Sequence, residues 1–187
     1  TVALTTRRLL LRRFVPEDAD TMYQTWAADP EVTRYLRWPP HASPAETANI
    51  LRGWCFAYDE EPDYYNWAIT LKESGTLIGS ISLLAESDGY EPGYALGRAY
   101  WHQGYATEAL CAVVEFAFGA LGLPQLYCRH EAPNLGSGRV MEHAGFVYDR
   151  PFKRVYKVGA DVIGLGRDGI LYRVEGTRST ALTSSLD

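Results

Sequence analysis

The sequence predicts a single-domain α/β (α+β) fold, with one mixed, mostly antiparallel sheet of six to seven strands and helices on both faces. Two observations carry this. Short apolar stretches of strand character lead up to a turn bracketed by Gly97 and Gly104, and a long segment then repeats apolar residues at helical spacing, at Leu110, Val113, Val114, Ala117, Phe118 and Leu121. Beyond it Leu126 to Glu131 reads as another strand. A strand on either side of one helix makes a crossover, so these two strands can run parallel while the remainder pair antiparallel.

From the N-terminus, Thr5 to Phe14 carries apolar residues on both parities and reads as a first strand covered on both faces. Pro16 suits a first helical turn, with Glu17 and Asp18 near the positive end of its dipole. Met22, Tyr23, Trp26 and Ala27 keep helical spacing up to Asp29-Pro30, and a short helix to about Leu36 should follow. Trp38-Pro39-Pro40-His41 is a loop, since each proline holds its predecessor out of the helical region. Ser43-Pro44-Ala45-Glu46 is a capping box with proline at the first helical position. It predicts a helix from Pro44 to about Tyr58 that buries Ile50, Leu51, Trp54 and Cys55.

Glu60-Glu61-Pro62-Asp63 is acidic and exposed. Trp67, Ile69 and Leu71 then alternate with Ala68, Thr70 and Lys72, and after the turn Glu73-Ser74-Gly75 the stretch Leu77 to Leu83 completes a hairpin. Pro92 to Leu96 is the strand that enters the glycine-bracketed turn, and Leu121-Gly122-Leu123-Pro124 stops the long helix. Asn134 to His143 reads as a short helix capped by Asn134, with Gly145 as the left-handed residue past its end. Phe146 to Tyr156 and Gly169 to Val174 form a final hairpin. The domain is expected to span residues 1–175, and the Ser/Thr-rich tail 176–187 to be mobile.

A chain of 187 residues is one domain by length and can bury about 70% of its unfolded surface without staples. Cys55, Cys111 and Cys128 are odd in number and widely spaced, with no Cys-x-x-Cys and no paired histidines, so neither a disulfide framework nor a zinc site is suggested. Buried thiols in a reducing compartment fit better. No apolar run approaches the roughly 20 residues of a membrane span, and no apolar signal segment follows the first few residues, so the expected location is the cytoplasm, without a membrane partner. The formal charge of -5 argues against a nucleic-acid partner, whose phosphates call for a basic face. It suits a cationic acceptor weakly and serves solubility equally well.

In the stretch Tyr100 to Ala109 a turn, a helix start and bare backbone coincide. At the helix start, within His102 to Ala106, several N–H groups lack an intrahelical partner and the dipole adds partial positive charge, which favours an anion and above all a phosphate. Gly104 and Ala106 leave that backbone uncovered, although a glycine that merely helps a chain turn into a core helix has the same local sequence. Trp101-His102-Gln103-Gly104-Tyr105-Ala106 resembles the Gln/Arg-x-x-Gly-x-Gly/Ala pyrophosphate-binding loop of the GNAT acetyltransferases, with Trp101 where that superfamily has Gln or Arg. Gly104-Tyr105-Ala106-Thr107-Glu108-Ala109 is similar to the branch containing the ribosomal-protein alanine N-acetyltransferases, and the Thr5 to Phe14 opening resembles the Thr-x-Arg-Leu-x-Leu-Arg start of the same branch. The resemblance implies acetyl-CoA as co-substrate and no metal. It places Leu96, His102, Gln103, Gly104, Tyr105, Ala106 and Thr107 against the coenzyme, largely through main-chain amides.

A second block, Asn134-Leu135-Gly136-Ser137-Gly138-Arg139-Val140-Met141-Glu142-His143-Ala144-Gly145-Phe146, resembles the Asn-x-x-Ser and Gly-Phe block of that branch, in the expected order about 30 residues on. It implies that Asn134 both caps its helix and binds coenzyme A. Many GNAT enzymes carry a tyrosine where this chain has Met141, which cannot protonate a leaving thiolate. Ser137 lies one turn earlier on the same face and could supply a hydroxyl, the role proposed for its counterpart in the branch. A local backbone bond at the helix start is the other use for Ser137. Glu108 is the carboxylate the motif offers as general base, acting through water, yet a negative charge in a first helical turn is also favourable for structure alone. His102, His130 and His143 titrate in the useful range, and spacing selects none of them. In relatives the first two helical regions wall the acceptor pocket, which makes Tyr35, Trp38 and Trp54 candidate acceptor contacts as well as candidate core aromatics.

The expected enzyme is an N-acetyltransferase that holds acetyl-CoA between two splayed strands and lets a primary amine attack the thioester directly. A strand amide near Tyr94 to Leu96 polarises the carbonyl. With so little base chemistry on offer, the better match is a protein or peptide N-terminal α-amine, whose pKa near ~7.7 to 8.0 leaves more of it neutral than a lysine near ~10.4. The alternatives are a small-molecule amine such as an antibiotic or polyamine, and an acyl-CoA-binding regulatory module without turnover. A homodimer stays open.

Overall fold

The computed structural model describes residues 1–86, 89–158 and 161–176. Its strands are β1 Leu4–Thr5, β2 Leu9–Arg12, β3 Tyr65–Leu71, β4 Leu77–Glu86, β5 Gly89–Leu96, β6 Gln125–Glu131, β7 Val147–Val158 and β8 Asp161–Glu175. They form one sheet in the order β1-β2-β3-β4-β5-β6-β8-β7, in which β5 and β6 are parallel and all other neighbours antiparallel. The sheet has eight strands where the sequence suggested six to seven, because the first apolar stretch breaks in two. Thr6 N donates to the Leu9 carbonyl at 3.0 Å and Leu9 N to Thr6 Oγ1 at 2.9 Å, so the chain turns and Leu4–Thr5 pairs back onto β2.

Strand alternation divides the core. On one face lie α1 Ala19–Met22, with a 3-10 turn at Pro16–Asp18 before it and a π turn at Tyr23–Ala27 after it, then α2 Pro30–Thr33 and α3 Pro44–Glu60. These bury Met22, Trp26 and Leu51 against Ala68 and Ala95. On the other face, α4 Tyr105–Gly119 and α5 Leu135–His143 pack on Trp67, Ile69, Ile81 and Leu126, with Ala109, Leu110, Val113 and Ala117 as the inward residues of α4. Val114, Phe118 and Leu121, expected on that face, lie at its half-buried margin.

The α3 start forms with a variation. Ser43 Oγ accepts from Glu46 N at 3.2 Å, but the Glu46 carboxylate reaches past Ser43 to the Ala42 amide at 2.6 Å. The helix also turns a different face inward than its apolar residues suggest: Thr47, Leu51 and Tyr58 are buried, whereas Ile50, Trp54 and Cys55 are half-buried. The Tyr58 hydroxyl sets this rotation, because it accepts from Phe14 N at 3.1 Å and donates to the Asn66 carbonyl at 2.8 Å. Two buried backbone groups would otherwise lack partners. Trp54 is thereby left at the edge of the core, facing a cavity.

Asn134 caps α5, its Oδ1 accepting from Ser137 N at 3.2 Å, and Gly145 follows the helix at φ 88°. The final hairpin is longer than the apolar pattern indicates. The mobile tail expected over 176–187 falls, from 177 on, outside the described residues; Gly176 itself is tied down, its amide donating to the Pro124 carbonyl at 3.0 Å. Among the described residues no helix is long and apolar enough to cross a membrane.

Candidate active site

Strands β5 and β6 pair at one position, Tyr90 with Leu126, near the start of each, and then diverge. Separated parallel strands leave backbone donors and acceptors along their facing edges. Side chains bridge the gap: the Cys128 thiol donates to the Pro92 carbonyl at 3.3 Å, and Glu91 pairs with Arg129 at 2.8 Å. The gap opens into a cavity of about 890 Å³ that reaches Gly104 and Asn134 at one end and Tyr35, Trp38 and Trp54 at the other.

At the first end, Gly104 stands at the N-cap of α4 with φ 79° and ψ 3°, a left-handed conformation that a side chain disfavours. His102 before it also has positive φ, 59°. Among the described residues no side chain caps α4, so the amides that open this 15-residue helix are not covered by one. Tyr105, Ala106, Thr107, His102 and Leu96 all border the cavity there. An exposed helix N-terminus with its positive dipole end in a cavity fits the diphosphate of a nucleotide coenzyme.

Three contacts hold this loop in shape. Trp101 Nε1 donates to the Leu96 carbonyl at 2.8 Å, which gives the indole a structural use at the position where the superfamily has Gln or Arg. The Gln103 side chain turns back to the Ala99 carbonyl at 2.8 Å and does not border the cavity. Arg8 reaches over from the β1–β2 turn, donating to the Gln103 carbonyl at 2.9 Å while its guanidinium lies 4.3 Å from the centre of the Tyr105 ring.

Glu108 faces that arginine and does not border the cavity. Its carboxylate accepts from Thr6 Oγ1 at 2.6 Å, Arg8 N at 2.8 Å and Arg8 Nε at 2.6 Å. Burial alone would raise its pKa, but these hydrogen bonds and the arginine charge outweigh that and hold the carboxyl below its ordinary value. A carboxylate so engaged is a poor proton acceptor and a good tether.

Ser137, in the first turn of α5, meets Tyr94 of β5 across the gap: the phenol and the Ser137 hydroxyl are 2.7 Å apart, and the phenol also donates to the Ser137 carbonyl at 3.2 Å. Burial pushes the Tyr94 pKa up, so the phenol keeps its proton. Both side chains and Asn134 border the cavity. Tyr94 was legible from the sequence only as part of a strand. It is 43 residues from Ser137, and no periodicity or spacing connects the two. Met141, one turn on from Ser137, is 1% exposed and belongs to the core.

At the other end, Tyr35, Trp38 and Trp54 all border the cavity, and each also packs on a neighbour: Tyr35 under Arg34, Trp38 on His41 and Trp54 on Phe14. A large aromatic face can border the cavity and pack on a neighbour at once. The carboxylates here are paired. Arg37 holds Glu86 at 2.6 Å and Glu91 at 3.1 Å, and Glu31 lies 3.8 Å from Arg34. Burial raises the pKa of Glu91 against the opposing pull of Arg129 and Arg37.

His102, His130 and His143 all border the cavity. His130 differs from the others in being buried, with Nδ1 2.8 Å from the Glu131 carbonyl, a group that can only accept. Nδ1 therefore carries the hydrogen of that contact, and Nε2 lies beneath Gly138.

A crossover sheet split beside an uncovered helix start defines an acyl-coenzyme-binding class of transferase. The family model for the acetyltransferase (GNAT) domain matches residues 8–147, and the chain belongs to the GNAT acetyltransferases. It is 30% identical over 146 residues to the uncharacterized N-acetyltransferase p20 of Bacillus licheniformis, covering 76% of this chain and 81% of that protein. In structure it is similar to a GNAT-family acetyltransferase from Bacillus anthracis, with a TM-score of 0.77 at 22% identity over 94% of this chain and 99% of the other. It also shares its fold with RimL, a ribosomal alpha-N-protein acetyltransferase solved in complex with coenzyme A, with a TM-score of 0.74 at 16% identity over 93% and 98% of the two chains.

Proposed function

We propose that this enzyme acetylates the free α-amine at the N-terminus of a peptide or protein, using acetyl-CoA. What carries the proposal is the single cavity that joins the uncovered start of α4 to the aromatic end through the gap between β5 and β6, where donor and acceptor can be held together. Acetyl-CoA supplies an acetyl thioester there. The amides from Gly104 to Thr107 bind the diphosphate, with Asn134 beside them, and the β5 edge near Tyr94 to Leu96 offers N–H to the carbonyl oxygen. Ser137 assists the leaving thiolate: Tyr94 holds Oγ in place at 2.7 Å, and when the phenol turns its one hydrogen from the Ser137 carbonyl to Oγ, the serine hydrogen is released to point at the sulfur. The amine nitrogen forms its bond to the acetyl carbon as the carbon–sulfur bond breaks, and the amine proton leaves to water.

The paired carboxylates favour an α-amine. Glu31, Glu86 and Glu91 in the cavity are all engaged by arginines, and Glu108 is tied to Thr6 and Arg8. An acceptor that is already partly neutral asks least of such a site, and an α-amine is easier to deprotonate than a lysine by about 3.5 kcal/mol. RimL, named for alpha-N acetylation, has the same fold. The cytoplasm, where acyl-CoA and unmodified thiols such as Cys55, Cys111 and Cys128 coexist, is the location this function calls for.

The test is a competition between a lysine-free peptide with a free α-amine and its N-blocked counterpart containing lysine, read as thiol release and peptide mass. Acetylation of the first is expected. Preference for the blocked peptide would reject the α-amine acceptor, and turnover of small amines alone would reassign the enzyme to small-molecule acceptors.

A further inference from the structure

Four glycines sit on or against the β4–β5 pair: Gly89 opens β5 at φ 128°, a conformation that favours glycine, and packing accounts for two of the others. A Cβ on Gly79 would lie 2.2 Å from the Ala95 carbonyl oxygen, and one on Gly97 would lie 2.4 Å from Thr25 Cγ2. Gly93, in the middle of β5, has no such reason. A Cβ there would meet only Ser82 Oγ, at an ordinary 3.5 Å, and the residue is not in a left-handed conformation. A glycine inside a strand weakens it and often marks the close approach of a ligand.

Gly93 is exposed and borders the cavity on the face that carries α1 to α3. In register beside it stand Ser82 of β4 and Asn66 of β3. The flanking rows are Ala95, Ser80 and Ala68 on one side and Glu91 and Leu84 on the other. The Ala95 and Ala68 ends of the first row lie under Met22, Trp26 and Leu51, but Gly93, Ser82, Ser80 and Asn66 border the cavity and make a floor that crosses three central strands and ends at the gap beside β6. Strands lie ~4.8 Å apart, so the floor is about 10 Å long, the reach of roughly three residues of extended chain.

We propose that Gly93 is a specificity-determining position: its missing side chain opens the floor on which an extended peptide acceptor lies, with its amine at the β5–β6 gap. This deepens the acceptor assignment made above and rests on it.

The experiment uses the full chain with Gly93→Ala and Gly93→Val. Thermal melts and calorimetry with acetyl-CoA are followed by turnover of lysine-free tripeptides and of small primary amines. The valine variant is expected to keep its melting temperature and its acetyl-CoA affinity while its KM for tripeptides rises roughly 10-fold to 100-fold, with alanine intermediate, as for overfilling a packed space. Wild-type tripeptide kinetics in the valine variant would overturn the proposal. So would loss of acetyl-CoA binding by the folded variant, which would place Gly93 at the coenzyme. Should the wild type turn over small amines only, the α-amine assignment fails, and the effect of valine on the KM for those amines still decides whether Gly93 lies under the acceptor: a rise supports the position, and no change overturns it.

Discussion

The Tyr94 phenol and the Ser137 hydroxyl lie 2.7 Å apart and join the middle of the sheet to the first turn of α5 across the gap between β5 and β6. The contact holds a hydroxyl in a fixed place on the wall of the cavity. Ser137→Ala is expected to lower kcat about 10-fold to 100-fold with little change in acceptor KM, since a hydrogen bond to a charged group contributes roughly 1.5 to 3 kcal/mol. Tyr94→Phe leaves the serine in place but unoriented and should cost about 2-fold to 10-fold in kcat. The double variant should be no slower than Ser137→Ala alone, as expected for residues acting as one unit. Additive losses would mean that Tyr94 acts independently of Ser137.

Gly104→Val should abolish acetyl-CoA binding in calorimetry while the protein stays folded. The residue has φ 79°, and valine is among the residues least tolerant of that region. An added Cβ would also lie 3.4 Å from Arg8 Nη2, the arm that holds the loop. Unchanged affinity in a folded variant would remove the α4 start from the coenzyme site.

Glu108→Gln separates tether from base. Loss of the charge that holds Thr6 and Arg8 should destabilise the protein by about 2 kcal/mol and weaken acetyl-CoA binding through the Gln103 and Tyr105 loop. At saturating acetyl-CoA, kcat and its pH profile should stay as in the wild type. A collapse of kcat with intact stability would restore Glu108 as the base.

Among the side chains whose pKa is lowered, His41 should respond to acid first. Burial lowers its pKa, Glu46 opposes only in part, and Nδ1 sits 2.7 Å from Thr47 Oγ1. A histidine with a depressed folded pKa leaves stability intact above its unfolded value near ~6.5 and loses it as pH falls below that. Glu108, also depressed, adds a further loss only below the ordinary carboxylate range near ~4.3. The melting temperature should therefore begin to fall between pH 7 and pH 5.5. In His41→Gln, which does not titrate, that first decline should vanish. Because the His41 ring packs on Trp38, the same step should loosen the acceptor end of the cavity and raise acceptor KM.

Much of this molecule is legible in one dimension because its signals are local. The helix start at Gly104, the cap at Asn134, the left-handed Gly145 and the alternation from Trp67 to Leu71 each depend on residues a few positions apart, and each forms as the residue pattern implies. Ser137 and Asn134 are near the cavity because they share the start of a helix with a recognisable sequence block. What only the tertiary structure decided are the partnerships between distant segments. Glu108 looks the same in sequence whether it is a base or a tether, and it is the fold that brings Thr6 and Arg8 to its carboxylate from 100 or more residues away. Tyr94 has no local mark that separates it from any strand aromatic until α5 places a hydroxyl against it. The inward face of α3 is set by the backbone of Phe14 and Asn66, which the Tyr58 hydroxyl must satisfy, and not by the apolar count along the helix. Propensity and capping act over one or two turns, whereas the choice between two uses of a polar group depends on which partners the packed chain delivers.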